Sequence, residues 1–140
     1  MLDFTSLTSA CASLQESLEV IENYLKNGGS DDQAEYRTFR AGAIQNFEFT
    51  YELSWKAMRV WLAENIGKTV VDGITRKELF RFAAENKLID DTKVWFTYHQ
   101  LRNQTSHTYE AATAIEVFRQ VGSFLISAQT LLSTLNAKND

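Results

Sequence analysis

The amino-acid sequence predicts an all-α fold, an antiparallel up-and-down helical bundle of four main helices with a short helical insert. Three observations support this prediction. Apolar residues recur at three- and four-residue steps over most of the chain, which is the period of a helix with one buried face. Proline is absent and glycine occurs only six times, too rarely for a turn-rich sandwich or barrel. A length of 140 residues, 44% of them apolar, suits a single domain over residues 1–140 with a sizeable core.

The first helix is predicted over residues 4–26, because its apolar residues form one stripe. The stripe consists of Phe4, Leu7, Cys11, Leu14, Leu18, Ile21 and Leu25. The segment at residues 27–30, Asn-Gly-Gly-Ser, ends this helix, since glycine favours helix C-termini and loops. Asp31 or Asp32 is expected to cap the helix that follows.

The second and longest helix is predicted over residues 33–66. Its aromatic residues spread over more than one face, which indicates two buried sides. These residues are Phe47, Phe49, Tyr51, Trp55 and Trp61. Either both sides pack within one chain, or one of them is an oligomeric contact, since exposed aromatic patches often mark interfaces. Phe47 and Trp55 are expected to lie in the core.

The segment at residues 68–74 is predicted to be a connector, in which Val70 and Val71 could form a brief extended piece. A short helix follows, because Thr75 and Glu78 have the spacing of a capping box. In this arrangement the threonine hydroxyl and the glutamate carboxylate each accept a hydrogen bond from a backbone N–H at the helix start. The short helix is expected to end near residue 86.

The last two predicted helices flank a polar segment. Asp90 and Asp91 place carboxylates at the start of one helix, where the helix dipole favours them, and this helix frays near Thr105. A final helix is predicted after Tyr109, ending near residue 136, from apolar residues at three- and four-residue steps. These are Ile115, Phe118, Val121, Leu125, Ala128, Leu132 and Leu135.

Charge and cysteine content exclude several classes of protein. The net charge of −4 makes counterion release a weak driving force for nucleic-acid binding, so any contact with a polyanion is expected to be local. Cys11 is the single cysteine, which excludes an internal disulfide framework and cysteine-based zinc sites. The N-terminus lacks a signal-peptide pattern, and no run of about 18 apolar residues occurs. A cytoplasmic protein without membrane contact is therefore expected.

The candidate site is the polar segment at residues 101–110, because common catalytic motifs such as the phosphate-binding glycine loop and His-Glu-x-x-His are missing. Arg102 offers a permanent cation for a phosphate, His107 a group that exchanges protons near neutral pH, and Tyr109 a stacking ring or nucleophilic hydroxyl. A structural role remains open for each residue. Arg102 could pair with an acid on a neighbouring helix, His107 could end the helix, and Tyr109 could pack at a helix start.

Geometry constrains how these residues could act together. On a straight helix Arg102 and His107 would point about 140° apart, because five residues at about 100° each separate them. They converge only if the helix ends between them or if a second subunit contributes. His99, three residues before Arg102, lies on nearly the same face and is expected to be a surface or interface imidazole.

These residues resemble a known family. Arg102 and Asn103, followed by His107 and Tyr109 at this spacing, resemble the motif of HEPN domains, the higher-eukaryote and prokaryote nucleotide-binding helical bundles. The resemblance is closest to the branch of nucleotidyltransferase substrate-binding proteins, or HepT-like toxins. It covers nearly the whole chain, including the helix at residues 47–56 and the capping box.

The resemblance implies a homodimer that is encoded beside a minimal nucleotidyltransferase, its antitoxin, and that acts as a metal-independent ribonuclease without a cofactor. Arg102 would hold the scissile phosphate, Asn103 would orient the pair, and His107 would act as general base or acid. Tyr109 matches the tyrosine that the partner adenylylates. The alternative within the family is a non-catalytic subunit that binds a nucleotide or substrate, and in either case RNA or nucleotide would occupy the dimer cleft.

Overall fold

The computed structural model describes residues 1–139, which form seven α-helices and one short 3-10 turn, without a β-strand. The helices are α1 (Thr5–Lys26), α2 (Ala34–Asn65), α3 (Lys68–Val71), α4 (Arg76–Glu85), α5 (Thr92–Gln104), α6 (Ala111–Arg119) and α7 (Val121–Ala137). The 3-10 turn, Thr105–His107, directly follows α5. The prediction of an all-α fold is therefore confirmed. None of the helices in residues 1–139 combines the length and apolar character needed to cross a membrane.

The core is organised around α2, which has 32 residues and packs against each of the other α-helices. Phe124 of α7 lies at the centre of an aromatic cluster. Its ring is edge-on to Phe47 of α2 at a centroid distance of 4.9 Å, and to Trp95 and Tyr98 of α5 at 5.9 and 5.1 Å. Because edge-to-face rings pack favourably, these contacts fix α5 against both α2 and α7. The position of α5 matters because its last turn carries the candidate site.

Two predicted helix starts are confirmed in atomic detail. The Thr75 hydroxyl accepts a hydrogen bond from the Glu78 N–H at 3.1 Å, and the Glu78 carboxylate accepts one from the Thr75 N–H at 3.3 Å. Asp91 caps α5, since its Oδ1 accepts a hydrogen bond from the Lys93 N–H at 2.8 Å. At α2, by contrast, Gln33 occupies the N-cap position and no side chain caps the helix, so the prediction for Asp31 or Asp32 is wrong.

Two segments outside the candidate site depart from the predicted elements. Val70 and Val71 belong to the one-turn helix α3 and are not extended. The predicted final helix is divided at Gln120, whose N–H bonds to the carbonyls of Val117 and Phe118. The break lets α6 and α7 bury different faces. In α6 the buried residues are Ala114 and Val117, whereas Ile115, which belongs to the predicted stripe, is 48% exposed.

The aromatic residues of α2 have unequal surroundings. Phe47 is 1% exposed, as predicted for a core residue, and Tyr51 and Trp61 are also buried. Trp55 is only half-buried, so its assignment to the core is wrong: the guanidinium carbon of Arg76 lies 3.3 Å from its ring centroid and covers one face of the indole. Phe49 is 55% exposed. The two faces of α2 are thus not both packed within the chain.

Candidate functional site

Arg102 is in the last turn of α5, half-buried against α2. Its Nη1 donates a hydrogen bond to the Thr105 hydroxyl at 3.1 Å and lies 3.7 Å from Glu48 Oε2, while its Nε lies 3.3 Å from Glu52 Oε1. Glu48 and Glu52 are one turn apart on α2, which brings both carboxylates to the same face. The interhelical ion pair that was the structural alternative for Arg102 is therefore present.

The ion pairs of Arg102 leave one donor unused. Its Nε–H is within reach of Glu52 but is not directed at the carboxylate oxygen, so the buried Nε atom has no hydrogen-bond acceptor. A buried donor without an acceptor is costly. Arg102 is thus held in position beside two carboxylates, with one buried N–H that has no acceptor in the described part of the chain.

His107 and Tyr109 have surroundings unlike those of Arg102. His107 is the exposed last residue of the 3-10 turn, and Tyr109 is 79% exposed. The two rings are 6.1 Å apart in an edge-on arrangement. His107 lines an open surface cavity of about 530 Å³ together with residues of α6, including Thr113 and Glu116. The high exposure of Tyr109 contradicts the alternative in which its ring is packed at the start of the next helix.

The side chains of the motif residues are not joined by hydrogen bonds in the described part of the chain. Helix α5 ends at Gln104, between Arg102 and His107, which meets one of the two conditions for their convergence. Within residues 1–139, however, no hydrogen bond joins the side chains of Arg102, Asn103 and His107. The exposed Asn103 contributes its carbonyl oxygen to the turn, as the acceptor of the Ser106 hydroxyl at 3.3 Å.

His99, expected to be a surface or interface imidazole, is half-buried and hydrogen-bonded within the chain. Its Nδ1 lies 2.8 Å from the hydroxyl of the buried Tyr51. Burial lowers the pKa of His99, and the nearby guanidinium groups of Arg76 and Arg102 lower it further, against an opposing effect of Glu52. Burial raises the pKa of Tyr51, so this hydroxyl keeps its proton. The pair therefore forms a neutral hydrogen bond beside Arg102.

A second arginine lies in the same region, and the sequence analysis did not single it out. Arg76, at the start of α4, stacks on Trp55, whose indole Nε1 donates a hydrogen bond to Glu52 Oε2 at 3.1 Å. Because Glu52 also contacts Arg102, a continuous chain of contacts links the two arginines. We call Glu52, Trp55, Arg76, His99 and Arg102 the two-arginine cluster. Only the placement of Glu48 and Glu52 one turn apart on a helix could have pointed to it from the sequence.

Within residues 1–139, no group of three or more His, Cys, Asp or Glu side chains has an arrangement that could hold a metal ion. The side chains of the site offer guanidinium groups for an anion and imidazoles for proton exchange.

The fold and the site define a class of small all-helical proteins that carry an Arg-Asn-x3-His-x-Tyr segment where a helix ends. Residues 2–137 match the family model described as "Nucleotidyltransferase substrate binding protein like". The chain belongs to this family, which confirms the resemblance found in the sequence.

Individual relatives agree with this assignment. A Haemophilus influenzae protein described as "Probable ribonuclease HepT" is 41% identical over 103 residues, which are 73% of this chain and 70% of that protein. A solved Haemophilus influenzae structure, described as the fold of a substrate binding domain of a nucleotidyltransferase, has a TM-score of 0.86 and 35% identity, covering 96% of this chain and 99% of that one. A solved structure from Thermus thermophilus has a TM-score of 0.64 and 26% identity, covering 87% and 98% of the two chains.

Proposed function

We propose that residues 1–140 form one cytoplasmic domain that acts as a metal-independent endoribonuclease, the toxin of a two-component system with a minimal nucleotidyltransferase as antitoxin. The observation that carries this proposal is the state of Arg102, which is held by two carboxylates of α2 and keeps a buried N–H without an acceptor. His107 lies open to solvent on the turn that follows. The similarity to a probable ribonuclease supports the same function.

In this mechanism the 2′-oxygen of RNA attacks the adjacent phosphorus. The bond from phosphorus to the 5′-oxygen breaks, leaving a 2′,3′-cyclic phosphate and a free 5′-hydroxyl. Arg102 binds the non-bridging phosphate oxygens and stabilises the negative charge that grows on them during attack. Asn103 orients Arg102 and His107 toward the phosphate.

The proton transfers require two groups. One imidazole accepts the proton of the 2′-hydroxyl as general base, and another group gives a proton to the leaving 5′-oxygen as general acid. His107 supplies one of these functions, and His107 of the partner subunit supplies the other in a homodimer whose two motifs line one cleft. The exposure of the large apolar side chain of Phe49 on α2 supports a dimer.

A second candidate function has its own support. The family description and the Haemophilus influenzae structure both concern substrate binding to a nucleotidyltransferase. A net charge of −4 also makes general RNA binding weak. In this alternative the same cleft holds a nucleotide or substrate, and the chain carries out no chemistry of its own.

Incubation of the purified protein with total tRNA in EDTA separates the two functions. The ribonuclease is expected to cleave tRNA, and Arg102→Ala and His107→Ala are expected to abolish cleavage while the far-UV circular dichroism stays that of the native protein. Arg37→Ala is a matched control, because Arg37 is exposed near the start of α2, away from the segment. Intact tRNA together with measurable binding of a nucleoside triphosphate would instead support the substrate-binding subunit.

The dimer can be tested separately by sedimentation equilibrium. A mass of twice 16.0 kDa is expected at micromolar concentration. Mixing inactive Arg102→Ala with inactive His107→Ala is expected to leave cleavage absent, because a mixed dimer has one His107 where the mechanism requires two. Recovered cleavage would contradict the two-imidazole mechanism. A monomer in sedimentation would contradict the two-imidazole mechanism.

Tyr109 is the proposed site of control by the nucleotidyltransferase. Transfer of AMP from ATP to the Tyr109 hydroxyl would release pyrophosphate and leave a phosphodiester two residues from His107. The added negative charge would repel the RNA backbone and compete for Arg102, so cleavage is expected to stop while the fold is kept. The 79% exposure of Tyr109 makes the hydroxyl accessible to a partner enzyme.

Mass spectrometry after incubation with the nucleotidyltransferase and ATP tests this control. One or more AMP units are expected on Tyr109 and not on the Tyr109→Phe variant. Tyr24→Phe provides a comparison, since the Tyr24 hydroxyl is already hydrogen-bonded to Gln33 at 2.6 Å. An unmodified Tyr109 in a chain that the partner still neutralises would refute the proposal.

A further inference from the structure

The two-arginine cluster contains hydrogen-bond donors that the protein itself does not satisfy. Three buried side-chain atoms lack a hydrogen-bond partner within residues 1–139, namely Trp61 Nε1, Arg76 Nε and Arg102 Nε. Two of the three therefore belong to neighbouring guanidinium groups in one cluster. Buried donors are rarely left without acceptors, and such groups call for a bound partner.

Arg76 has no carboxylate within 4.0 Å in the described part of the chain. The nearest acid along its chain of contacts is Glu52, whose two oxygens already contact Arg102 Nε and the Trp55 indole N–H. Burial lowers the pKa of Arg76, which reflects the cost of keeping its charge in these surroundings. Arg102 thus has two carboxylates beside it, those of Glu48 and Glu52, whereas Arg76 has none within 4.0 Å in residues 1–139.

The guanidinium group of Arg76 is nonetheless held in a defined position. The guanidinium carbon lies 3.3 Å from the centroid of the Trp55 ring, so this contact restrains the side chain, and Tyr51 is a further hydrogen-bonding neighbour of the guanidinium. A cavity of about 210 Å³, lined by Trp55, Arg59, Gly73 and Arg76 among others, opens beside it. This volume is several times the roughly 30 Å³ that a water molecule occupies in the liquid. An anion can therefore reach a guanidinium that is already in place.

We propose that Arg76 forms a phosphate subsite for the RNA strand, binding a phosphate group that neighbours the one held by Arg102. The proposal rests on the proposed ribonuclease function. A planar guanidinium matches the oxygens of a phosphodiester, and the contacts from Arg102 through Glu52 and Trp55 connect this second arginine to the proposed site of cleavage. Arg76 thus acts in binding and takes no part in proton transfer.

The salt dependence of RNA binding tests this subsite. All variants are made in the full-length His107→Ala chain, so that labelled total tRNA is not cleaved during filter binding. Replacing Arg76 by Gln is expected to weaken binding about tenfold near 0.1 M salt. It is also expected to reduce the slope of log K against log salt concentration by about 0.7 to 0.9, the value for one phosphate contact.

Two further variants distinguish the loss of the subsite from a general loss of positive charge and from a loss of folding. Arg37→Gln removes the same charge about 22 Å along α2 from Glu52, counting 15 residues at about 1.5 Å each, and is expected to leave the slope unchanged. Arg76→Lys keeps the charge but loses the planar fork, so it is expected to keep the slope while weakening binding about threefold. Thermal unfolding shows whether each variant is folded. If Arg76→Gln does not fold, Arg76→Lys still tests the subsite through its expected loss of affinity.

The outcomes are distinguishable. If the His107→Ala chain binds tRNA and Arg76→Gln lowers neither the affinity nor the slope, the subsite is refuted while the proposed function stands. If Arg76→Gln abolishes binding of ATP in calorimetry but leaves tRNA binding unchanged, the arginine serves a free nucleotide and the RNA subsite is refuted. If the His107→Ala chain does not bind tRNA and the chain with His107 intact does not cleave it, the proposed function fails and the subsite fails with it.

Discussion

The last turn of α5 and the segment that follows it are adjacent in the sequence but are held in very different ways. Arg102 contacts carboxylates of α2 and sits on a helix whose other face is fixed by Trp95, Tyr98 and Leu101 in the core. His107 and Tyr109 are exposed. The fold therefore holds Arg102, the proposed phosphate-binding residue, whereas His107, the proposed proton-transfer residue, lies exposed on the turn.

The largest expected effect comes from removing the packing that positions α5. Phe47 contacts Phe124, which in turn contacts Trp95 and Tyr98. Phe47→Ala is expected to lower the free energy of unfolding by about 3–5 kcal/mol through the lost burial and the cavity left behind. Urea denaturation followed by circular dichroism measures the change. A loss below about 1 kcal/mol would show that the ring does not support the helix.

Trp55→Ala is expected to have a smaller effect than Phe47→Ala, because Trp55 is only half-buried and its outer face is covered by Arg76. A loss of about 2 kcal/mol in the free energy of unfolding is expected, in proportion to the smaller apolar area removed from water. The same denaturation experiment measures it. Equal losses for the two variants would mean that Trp55 is a core residue after all.

A milder change addresses how tightly α2 holds Arg102. Glu52→Gln removes the charge facing Arg102 but keeps an oxygen for the Trp55 indole N–H. Since partly exposed ion pairs contribute about 0.5–1 kcal/mol, tRNA binding to the His107→Ala chain is expected to tighten about two- to fivefold. Glu64→Gln, an exposed change on the same helix, is the control for net charge. Weaker binding in Glu52→Gln would show that this carboxylate is needed to position the arginine.

The smallest expected effect concerns the neutral hydrogen bond beside Arg102. The pKa of His99 is lowered in the folded chain from the ordinary value of 6.5, mainly by burial. As the pH falls below 6.5 the unfolded chain binds a proton before the folded chain does, so the free energy of unfolding decreases. His99→Gln keeps a partner for Tyr51 and is expected to flatten this decrease. Parallel pH profiles of urea denaturation for the two proteins would contradict the assignment.

Local sequence signals predicted the elements of the fold well, and they failed where distant contacts decide. Thr75 and Glu78 form the predicted capping box because its parts are only three residues apart. The division at Gln120 was not predicted, since residues on both sides continue an apolar period and only packing against α2 requires two separate faces. Trp55 was wrongly placed in the core because the sequence could not show that Arg76, 21 positions later, would cover it.

For the candidate site too, the sequence predicted what depends on nearby residues and missed what depends on distant contacts. The spacing of Arg102 and His107 identified the segment, and the helix does end between them as one interpretation required. The sequence did not identify Glu48 and Glu52 as partners of Arg102, because many acids lie on the helices and the pairing depends on how α2 and α5 cross. His99 was noticed for its position, but its hydrogen bond to Tyr51 depends on the same crossing.

The central position of α2 has a consequence for amide hydrogen exchange. Because α2 packs against every other α-helix, its backbone hydrogen bonds around Glu48 and Glu52 open only when the whole domain unfolds, and their amides exchange at the slowest rate. The amides of residues 106–110 lie in a short turn at the surface and exchange through local opening. We therefore expect any ligand of this segment to meet an arginine whose acidic partners lie on a helix that persists as long as the native state, and an imidazole on a turn that opens and re-forms within that lifetime.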